Sequence, residues 1–238
     1  MKKIVYLILG GLLISSTAIY GQQKFQGIIS YQNSLSKDVP GEIVFDSTVV
    51  SFTNEFVIHQ EFYGGMEKYY FPSTTIISDT SIIQIYRGKD GVAFEQKNTD
   101  SSLEPQTVTA TNEIATILGY SCRKYIVRTN LSTGYTTTAY YWVAEELNVG
   151  VRKGYLPKEI KGCQLKREFL VENKQGQYLF SKIMEAKRID PSNKPIAISK
   201  YIGTRRLVPL NQENVKQAFG IGETIKTYPD KTQESANK

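Results

Sequence analysis

Imidazoles and thiols are scarce in this chain, whose 238 residues include one histidine, one tryptophan and two cysteines. A catalytic triad or a histidine metal site needs imidazoles, and the lone His59 lies in the strand-like stretch VIHQEF, where a hydrogen-bonded structural role is expected. Zinc-site spacing, a glycine-rich phosphate loop and a G-x-S-x-G elbow are all absent from the sequence. We therefore expect no catalytic residue, no metal, no cofactor and no enzymatic activity.

A large excess of charge of one sign is absent as well. The net charge is +6, and Lys2 and Lys3 at the start of the chain supply two of the positive charges. Such a mild excess gives no support for nucleic acid as a partner. Basic residues are densest in RKGYLPKEIKGCQLKR (152–167), where Glu159 is the single acid. This segment could meet anionic lipid headgroups, but a solvated loop and strand edge is the commoner outcome for such a cluster.

The N terminus lacks an apolar run long enough to span a bilayer, which takes about 20 residues. MKKIVYLILGGLLISSTAIYG has two lysines, a short apolar stretch and then small and polar residues, the pattern of a secretory signal peptide, with a single anchor helix as the alternative. Cleavage is expected after Gly21, which divides the chain into a signal peptide (1–21), one β-rich domain (22–225) and a disordered polar tail (226–238). The protein is then exported, to the periplasm or, alternatively, to the extracellular space.

Tyrosine and phenylalanine are plentiful, with 16 and 10 residues. Aromatic and β-branched residues favour strands, and they occur here in short alternating segments separated by turn signals. In FQGIISYQ the alternation places Phe25, Gly27, Ile29 and Tyr31 on one face. The pattern predicts a mainly β, antiparallel fold. VPLNQENVKQAFG (208–220) is the best helix candidate.

ILGYSCRKY (117–125) places a cysteine soon after a glycine. Gly119 separates a short lead-in, EIATIL, from the predicted strand CRKYIVR, and residues 98–106 before them are predicted to be a polar loop. Cys122 and Cys163 lie 41 positions apart in a chain expected to meet an oxidising compartment. A disulfide between them would stabilise the fold by about 4 kcal/mol in the chain-entropy model. Two buried free thiols are the alternative, and a catalytic thiol is disfavoured because no histidine lies nearby.

The stretch TTTAYYWVAEEL places Tyr140, Trp142 and Ala144 on one face of a strand and Tyr141 and Val143 on the other. A sheet curved around an apolar interior holds apolar ligands by burying them. Tyr140 and Trp142 are therefore the predicted ligand-binding residues, facing inward. Ordinary core packing is the alternative interpretation.

Four segments within residues 25–190 resemble exported Bacteroidetes-type proteins of unknown function, the DUF4412 group and their GLPGLI-type relatives: FQGIISY, ILGYSCRKY, AYYWVAEEL and GCQLKREF. YLPKEI stands near the place where those relatives have GLPGLI. The resemblance implies the fold of periplasmic lipoprotein carriers, in which an antiparallel sheet wraps as a curved half-barrel, here with one or two short helices. It implies an apolar cavity without catalysis, and it makes Cys122 a structural residue at the start of a strand.

The expected function is thus that of a non-catalytic binding protein of the periplasm or envelope. It would hold a lipid or another apolar small molecule in the curve of its sheet. The alternative is a structural or protein-interaction component of the cell envelope, with a filled core and a partner protein bound at a sheet edge.

Overall fold

The computed structural model describes residues 24–37, 46–62, 72–86, 91–98, 106–131, 136–151, 153–172, 175–192 and 194–219. The predicted signal peptide (1–21) and polar tail (226–238) lie outside these ranges. Neither helix within them has the length and apolar character of a bilayer span.

The described residues contain twelve strands of one sheet and two short helices, so this part of the chain is mainly β, as predicted. The strand order is β12-β6-β5-β4-β3-β2-β1-β11-β10-β9-β8-β7, so the sheet is open, with β12 and β7 at its ends. Neighbouring strands pair antiparallel, except that β12 runs parallel to β6. The elements are β1 (Gly27–Leu35), β2 (Ser47–Phe52), β3 (Val57–Phe62), β4 (Pro72–Ile77), β5 (Ser81–Tyr86), β6 (Val92–Lys97), β7 (Gln106–Ile117), β8 (Tyr120–Asn130), β9 (Thr136–Ala144), β10 (Cys163–Glu172), β11 (Tyr178–Pro191), α1 (Ser199–Ile202), β12 (Arg206–Pro209) and α2 (Gln212–Phe219).

Strand β1 lies near the middle of the sheet, between β2 and β11. Its burial alternates, with Gly27, Ile29 and Tyr31 buried, which confirms the face predicted from FQGIISYQ. Side chains two apart on a strand share a face, so we call the face of the sheet that carries Tyr31 the inner face, and the opposite one the outer face.

The inner face is strongly curved. One core cluster joins Phe52 of β2 and Val57 of β3 to Cys163 and Leu165 of β10. Strands β1 and β11 stand between β2 and β10 in the sheet. Arg167 of β10 also acts electrostatically on His59 of β3, although four strand spacings of about 4.8 Å would hold their backbones about 19 Å apart in a flat sheet. The predicted curved sheet is therefore present.

Residues 145–151 and 153–162, between β9 and β10, cover one end of the inner face. Val149 forms an isolated bridge with Phe25, just before β1, and Leu156 and Ile160 are buried. Gly150 lies so close to the β2–β3 turn that an added Cβ would be 2.5 Å from the Asn54 carbonyl oxygen, an approach that only glycine allows.

The C-terminal segment covers the outer face of β3–β5. Ile58 and Ile76 are buried there and pack against Ile198 and Tyr201. The predicted helix over 208–220 is confirmed in its second half only, because Val208 and Pro209 belong to β12. Helix α2 begins after Asn211, whose side-chain oxygen accepts a hydrogen bond of 2.8 Å from the Asn214 N–H and so caps the helix.

Strand β7 corrects the prediction of a short lead-in before Gly119. Residues Gln106–Ile117 form a strand of 12 residues, most of them exposed. Among the described residues β7 pairs with β8 alone and forms one edge of the sheet. Val108 and Ile117 pack against the core clusters, but most of the strand is exposed, so its sequence has no regular apolar alternation.

Candidate binding face

Tyr140 and Trp142 lie on the outer face. Trp142 pairs with Lys166 and Tyr141 pairs with Arg167, and successive strand residues point to opposite faces. Arg167 pairs with Met184, which pairs with Asn33 on the Tyr31 side of β1, so Arg167 lies on the inner face. Tyr141 therefore lies on the inner side at this point and Trp142 on the opposite side. The register at Lys166 and Arg167 thus places Tyr140 and Trp142 opposite Arg167, whereas Trp142 also packs against the core cluster that contains Tyr31, Ala144 and Cys163. That these two residues bind a ligand in the concave interior stays a prediction, and the predicted alternation along β9 is confirmed.

The two aromatic rings form an outer aromatic strip with the lysines beside them. The ring centroids of Tyr140 and Trp142 are 6.3 Å apart, with an interplanar angle of 74°. Lys124 Nζ lies 4.7 Å from the Tyr140 centroid, and Lys166 Nζ lies 5.1 Å from the Trp142 centroid. These are cation–π distances, so two cations already occupy the positions that a ligand would take on these rings.

Cys122 and Cys163 are free, buried thiols. Both residues pair with Ala144, Cys122 from β8 and Cys163 from β10, so strand β9 lies between them. Two strand spacings put their Cα atoms roughly 10 Å apart, beyond the reach of a disulfide. The disulfide hypothesis is thus contradicted, and the alternative of two buried thiols describes the structure.

Both thiols are poor nucleophiles. Burial raises the pKa of Cys122 to about 11 and that of Cys163 to about 12. The thiolate is the reactive form of cysteine, and both side chains are therefore protonated at neutral pH. They act as small packing groups.

The register brings a set of polar side chains onto the inner face. Glu61 pairs with Thr48 and Thr48 with Tyr31, and His59 shares the face because it lies two residues before Glu61. Arg167 pairs with Met184, two residues from the Ala186 that pairs with Tyr31. With Tyr155 from the covering segment, the polar residues on this face form what we call the inner polar cluster: Tyr31, His59, Glu61, Tyr155 and Arg167.

Tyr31 stabilises an irregular point of the sheet. A bulge in β10 lies between Gln164 and Lys166, and the pairing of β10 with β11 begins only at Lys166. The Tyr31 hydroxyl, which is buried, donates a hydrogen bond of 2.7 Å to the Gln164 carbonyl oxygen. Burial, followed by the neighbouring Cys163, raises the pKa of Tyr31 well above its usual value. The phenol is thus a permanent donor.

Tyr155 connects the covering segment to both sides of the curve. Its ring packs edge-on against Phe52, with centroids 5.4 Å apart, and lies 6.0 Å from the His59 ring. Its hydroxyl is 3.6 Å from Cys163 Sγ. Burial raises its pKa well above the usual value, so Tyr155 also stays neutral.

His59 is neutral at physiological pH. Burial, assisted by the positive charge of Arg167, lowers the pKa of His59 to about 4. Its Nε2 atom is buried and has no hydrogen-bond partner. The sequence predicts a hydrogen-bonded structural role for His59. One of its ring nitrogens, however, has no hydrogen-bond partner among the described residues, which is uncommon for a buried polar atom.

Glu61 and Arg167 approach each other across the curve. Burial raises the pKa of Glu61 to about 7, and the charge of Arg167 opposes that rise. The guanidinium of Arg167 is exposed, and it forms no hydrogen bond or ion pair with any residue in the described part of the chain. Within the described ranges, Arg167 is thus a cation on the inner face that acts on Glu61 without forming a direct ion pair with it.

The prediction that the basic cluster forms a strand edge is wrong for its last two residues. Lys166 and Arg167 lie in β10, which is flanked by β11 and β9, and they point to opposite faces. Lys166 Nζ lies 4.0 Å from Glu185 on the outer face, whereas Arg167 points inward. Arg152 lies outside the described residues.

Apolar side chains adjoin Arg167 on the inner face. Phe169 follows two residues later on β10 and pairs with Lys182, which also pairs with Leu35. Phe169, Leu35 and Val171 are only partly buried, and we call these three residues the inner apolar patch. Lys182, which shares this face, has its Nζ 5.9 Å from the Phe180 ring centroid.

Sequence reasoning missed the inner polar cluster, although a signal was present. VIHQEF places His59 and Glu61 two residues apart, hence on one face with Val57. The position of Arg167 opposite them depends on the curvature and on the bulge in β10, which no local pattern encodes. In the described ranges no group of three or more His, Cys, Asp or Glu side chains is placed to hold a metal.

No protein-family model and no curated protein matches this chain. Among solved structures, two crystal forms of PNGF-II, in the C2 and P21 space groups, share the fold, with TM-scores of 0.56 and 0.55 and sequence identities of 16% and 17%. The similarity covers 82% and 81% of this chain and 33% of the PNGF-II chain in both cases. This chain thus spans about a third of the PNGF-II length, and at such low identity the likeness concerns the fold alone.

Proposed function

We propose that this protein is a non-catalytic binding protein of the bacterial envelope. After export to the periplasm it holds an apolar or amphipathic ligand against the inner face of its curved sheet. Export is supported by the signal-peptide pattern of the first residues, and the site follows from the inner face itself.

The observation that carries the proposal is the inner apolar patch. Phe169, Leu35 and Val171 lie on the concave side of a sheet and keep part of their apolar surface exposed. Each 100 Å² of apolar surface that a ligand covers contributes about 2.5 kcal/mol to binding before the costs of association. Ligand pockets are typically concave and mostly apolar with few polar groups, which matches this patch beside Arg167.

The test is the composition of the protein purified from its native envelope under mild conditions. Native mass spectrometry followed by lipid extraction is expected to show a stoichiometric amphiphile. N-terminal sequencing of the same periplasmic material is expected to begin at Gln22. A bare protein mass, together with no uptake of a fluorescent fatty acid or phospholipid, would overturn the proposal.

A pair of variants locates the site. Phe169→Glu places a charge in the inner apolar patch and is expected to abolish the uptake of the fluorescent lipid. Leu170→Glu places the same charge on the adjacent residue of β10, which points to the outer face, and is expected to retain uptake. Loss of uptake in both variants, with both folded by circular dichroism, would contradict this site.

A second candidate function, protein interaction in the envelope, is favoured by the exposed edge strand β7. Its 12 residues have one charged member, Glu113, whereas edge strands that avoid partners usually carry several charges or a proline. A photo-crosslinking residue at Ile114, which is 56% exposed, tests this candidate in intact cells. A discrete adduct from Ile114 that is absent from a matched probe at Tyr178 would favour it, and equal labelling at both positions would count against it.

A further inference from the structure

The inner polar cluster and the inner apolar patch are continuous with each other. Arg167 and Phe169 are two residues apart on β10, so they share the inner face. Met184 pairs with Arg167 on one side, and Tyr141 pairs with it on the other. A charged group therefore stands directly beside partly exposed apolar surface, which is the arrangement that an amphiphile requires.

Two hydrogen-bond donors on this face are not used within the described structure. Arg167 presents five N–H groups in a planar fork and has no partner among the described residues. His59 Nε2 is buried without a partner, and a neutral imidazole can donate from that nitrogen. The Tyr31 hydroxyl is not a third donor, because it is already bonded to the Gln164 carbonyl.

Among the residues that the structure describes, no carboxylate forms an ion pair with Arg167. Glu61 is the acidic side chain of the cluster, but it forms no ion pair with Arg167 within 4.0 Å. Burial keeps a large fraction of Glu61 protonated near neutrality, since its pKa is raised to about 7. The positive charge of Arg167 is thus left for a ligand.

We propose that Arg167 anchors the anionic headgroup of a single-chain amphiphile whose hydrocarbon chain lies on the inner apolar patch. The proposal rests on the proposed function and specifies its ligand class. A carboxylate and a phosphate monoester share the required chemistry, because the guanidinium fork matches the oxygens of both in a bidentate geometry.

The experiment measures the affinities of the delipidated mature protein for oleate, oleyl phosphate and oleyl alcohol below their critical micelle concentrations. The three probes have the same hydrocarbon chain and differ only in the headgroup. Arg167→Gln is expected to weaken oleate and oleyl phosphate binding by about tenfold or more, the size expected for a lost charged hydrogen bond. Oleyl alcohol binding is expected to change less than about twofold.

Two further variants make the result specific. Lys166→Gln removes one positive charge from the adjacent residue on the outer face and is expected to leave all three affinities unchanged. Arg167→Lys keeps the charge but loses the fork, and it is expected to restore part of the oleate affinity. Circular dichroism and thermal unfolding of each variant confirm that the fold is retained.

The outcomes separate the two proposals. If the wild type binds none of the probes, the binding function and the anchor both fail. If it binds all three equally and Arg167→Gln changes nothing, the binding function stands and the anchor is overturned. A preference for oleate over oleyl phosphate, or the reverse, identifies which headgroup Arg167 accepts.

Discussion

Arg167 of β10 acts on Glu61 of β3 across the concave face, although three strands lie between β3 and β10 in the sheet. That proximity exists because the sheet curls, and it sets the electrostatics of the inner face. The same cation also lowers the pKa of His59. Arg167 lowers the pKa of both groups, and their net shifts differ in direction because burial raises the pKa of Glu61 and lowers that of His59.

The first prediction concerns the pH dependence of stability. The pKa of Glu61 is raised from 4.5 to about 7. Between these two pH values the folded state holds a proton that the unfolded state has released. The contribution of Glu61 to stability is therefore lost as the pH rises. The pKa of His59 is lowered from 6.5 to about 4. Between these values the unfolded state holds the extra proton, so the His59 contribution is lost as the pH falls.

These two contributions oppose each other between pH 4.5 and 6.5. As the pH rises across that window, the free energy of unfolding of Glu61→Gln is expected to increase by about 2 kcal/mol relative to that of the wild type. The free energy of unfolding of His59→Gln is expected to decrease by a similar amount relative to that of the wild type. Urea unfolding at several pH values measures both slopes, with Glu55→Gln in the exposed β2–β3 turn as the control. A stability difference that stays constant with pH in either variant would contradict this account of that residue.

The second prediction concerns the bulge in β10. Tyr31→Phe removes the hydroxyl that bonds to the Gln164 carbonyl and leaves that buried acceptor unsatisfied. The free energy of unfolding is expected to fall by about 1–3 kcal/mol. Tyr140→Phe, on the half-exposed outer strip, is the control and is expected to change it by less than about 0.5 kcal/mol. Equal effects of the two substitutions would show that the Tyr31 hydrogen bond is not what stabilises the bulge.

Local patterns in the sequence were sufficient for the fold class and for strands that bury one face. The alternation in β1 predicts its inner face correctly because burial of Ile29 and Tyr31 imposes period two. The same reasoning fails for β7, because most of its residues are exposed and only Val108 and Ile117 pack against the core, too few to impose a period. Strand β12 was missed for another reason, since a four-residue parallel edge strand depends on its partner β6 rather than on its own residues.

The candidate site was predictable only in part. The alternation in β9 correctly separates Trp142 from Tyr141, but period two does not say which face turns inward. Trp142 was chosen because it shares a face of the strand with Tyr140, whereas the register places Tyr141 beside Arg167 on the inner face. Arg167 and His59 are close to each other because the sheet is curved. The curvature arises from packing over many strands, so the sequence of no single strand predicts it.

The third prediction concerns the thiols. Because β9 separates Cys122 from Cys163 and both are fully buried, a thiol reagent such as DTNB is expected to label neither in the folded protein. Both are expected to react after unfolding in guanidinium without reductant. Two fewer reactive thiols, with a mass lower by two hydrogens, would mean that the mature protein forms the disulfide which this register forbids.

The fourth prediction concerns the two-residue turn between β7 and β8. Leu118 and Gly119 both have positive φ, at 51° and 84°, as a type I′ hairpin requires. Leucine is strained there, whereas asparagine adopts this conformation readily. Leu118→Asn is therefore expected to raise the free energy of unfolding by about 0.5–1 kcal/mol, measured by urea unfolding. Leu118→Ala keeps the strain, and an equal gain from alanine would assign the effect to the lost exposed side chain instead.

The fifth prediction uses the single tryptophan as a reporter of the ligand's position. Trp142 lies on the outer face under Lys124 and Lys166, so a ligand on the inner face does not touch it. Loading the protein with a brominated fatty acid, which quenches tryptophan only on contact, is expected to leave the Trp142 emission unchanged. A tryptophan placed at Phe169 in a Trp142→Phe background is the matched control and is expected to be quenched by the same ligand. Quenching of Trp142 itself would move the binding site to the outer aromatic strip and support the hypothesis that Tyr140 and Trp142 bind the ligand.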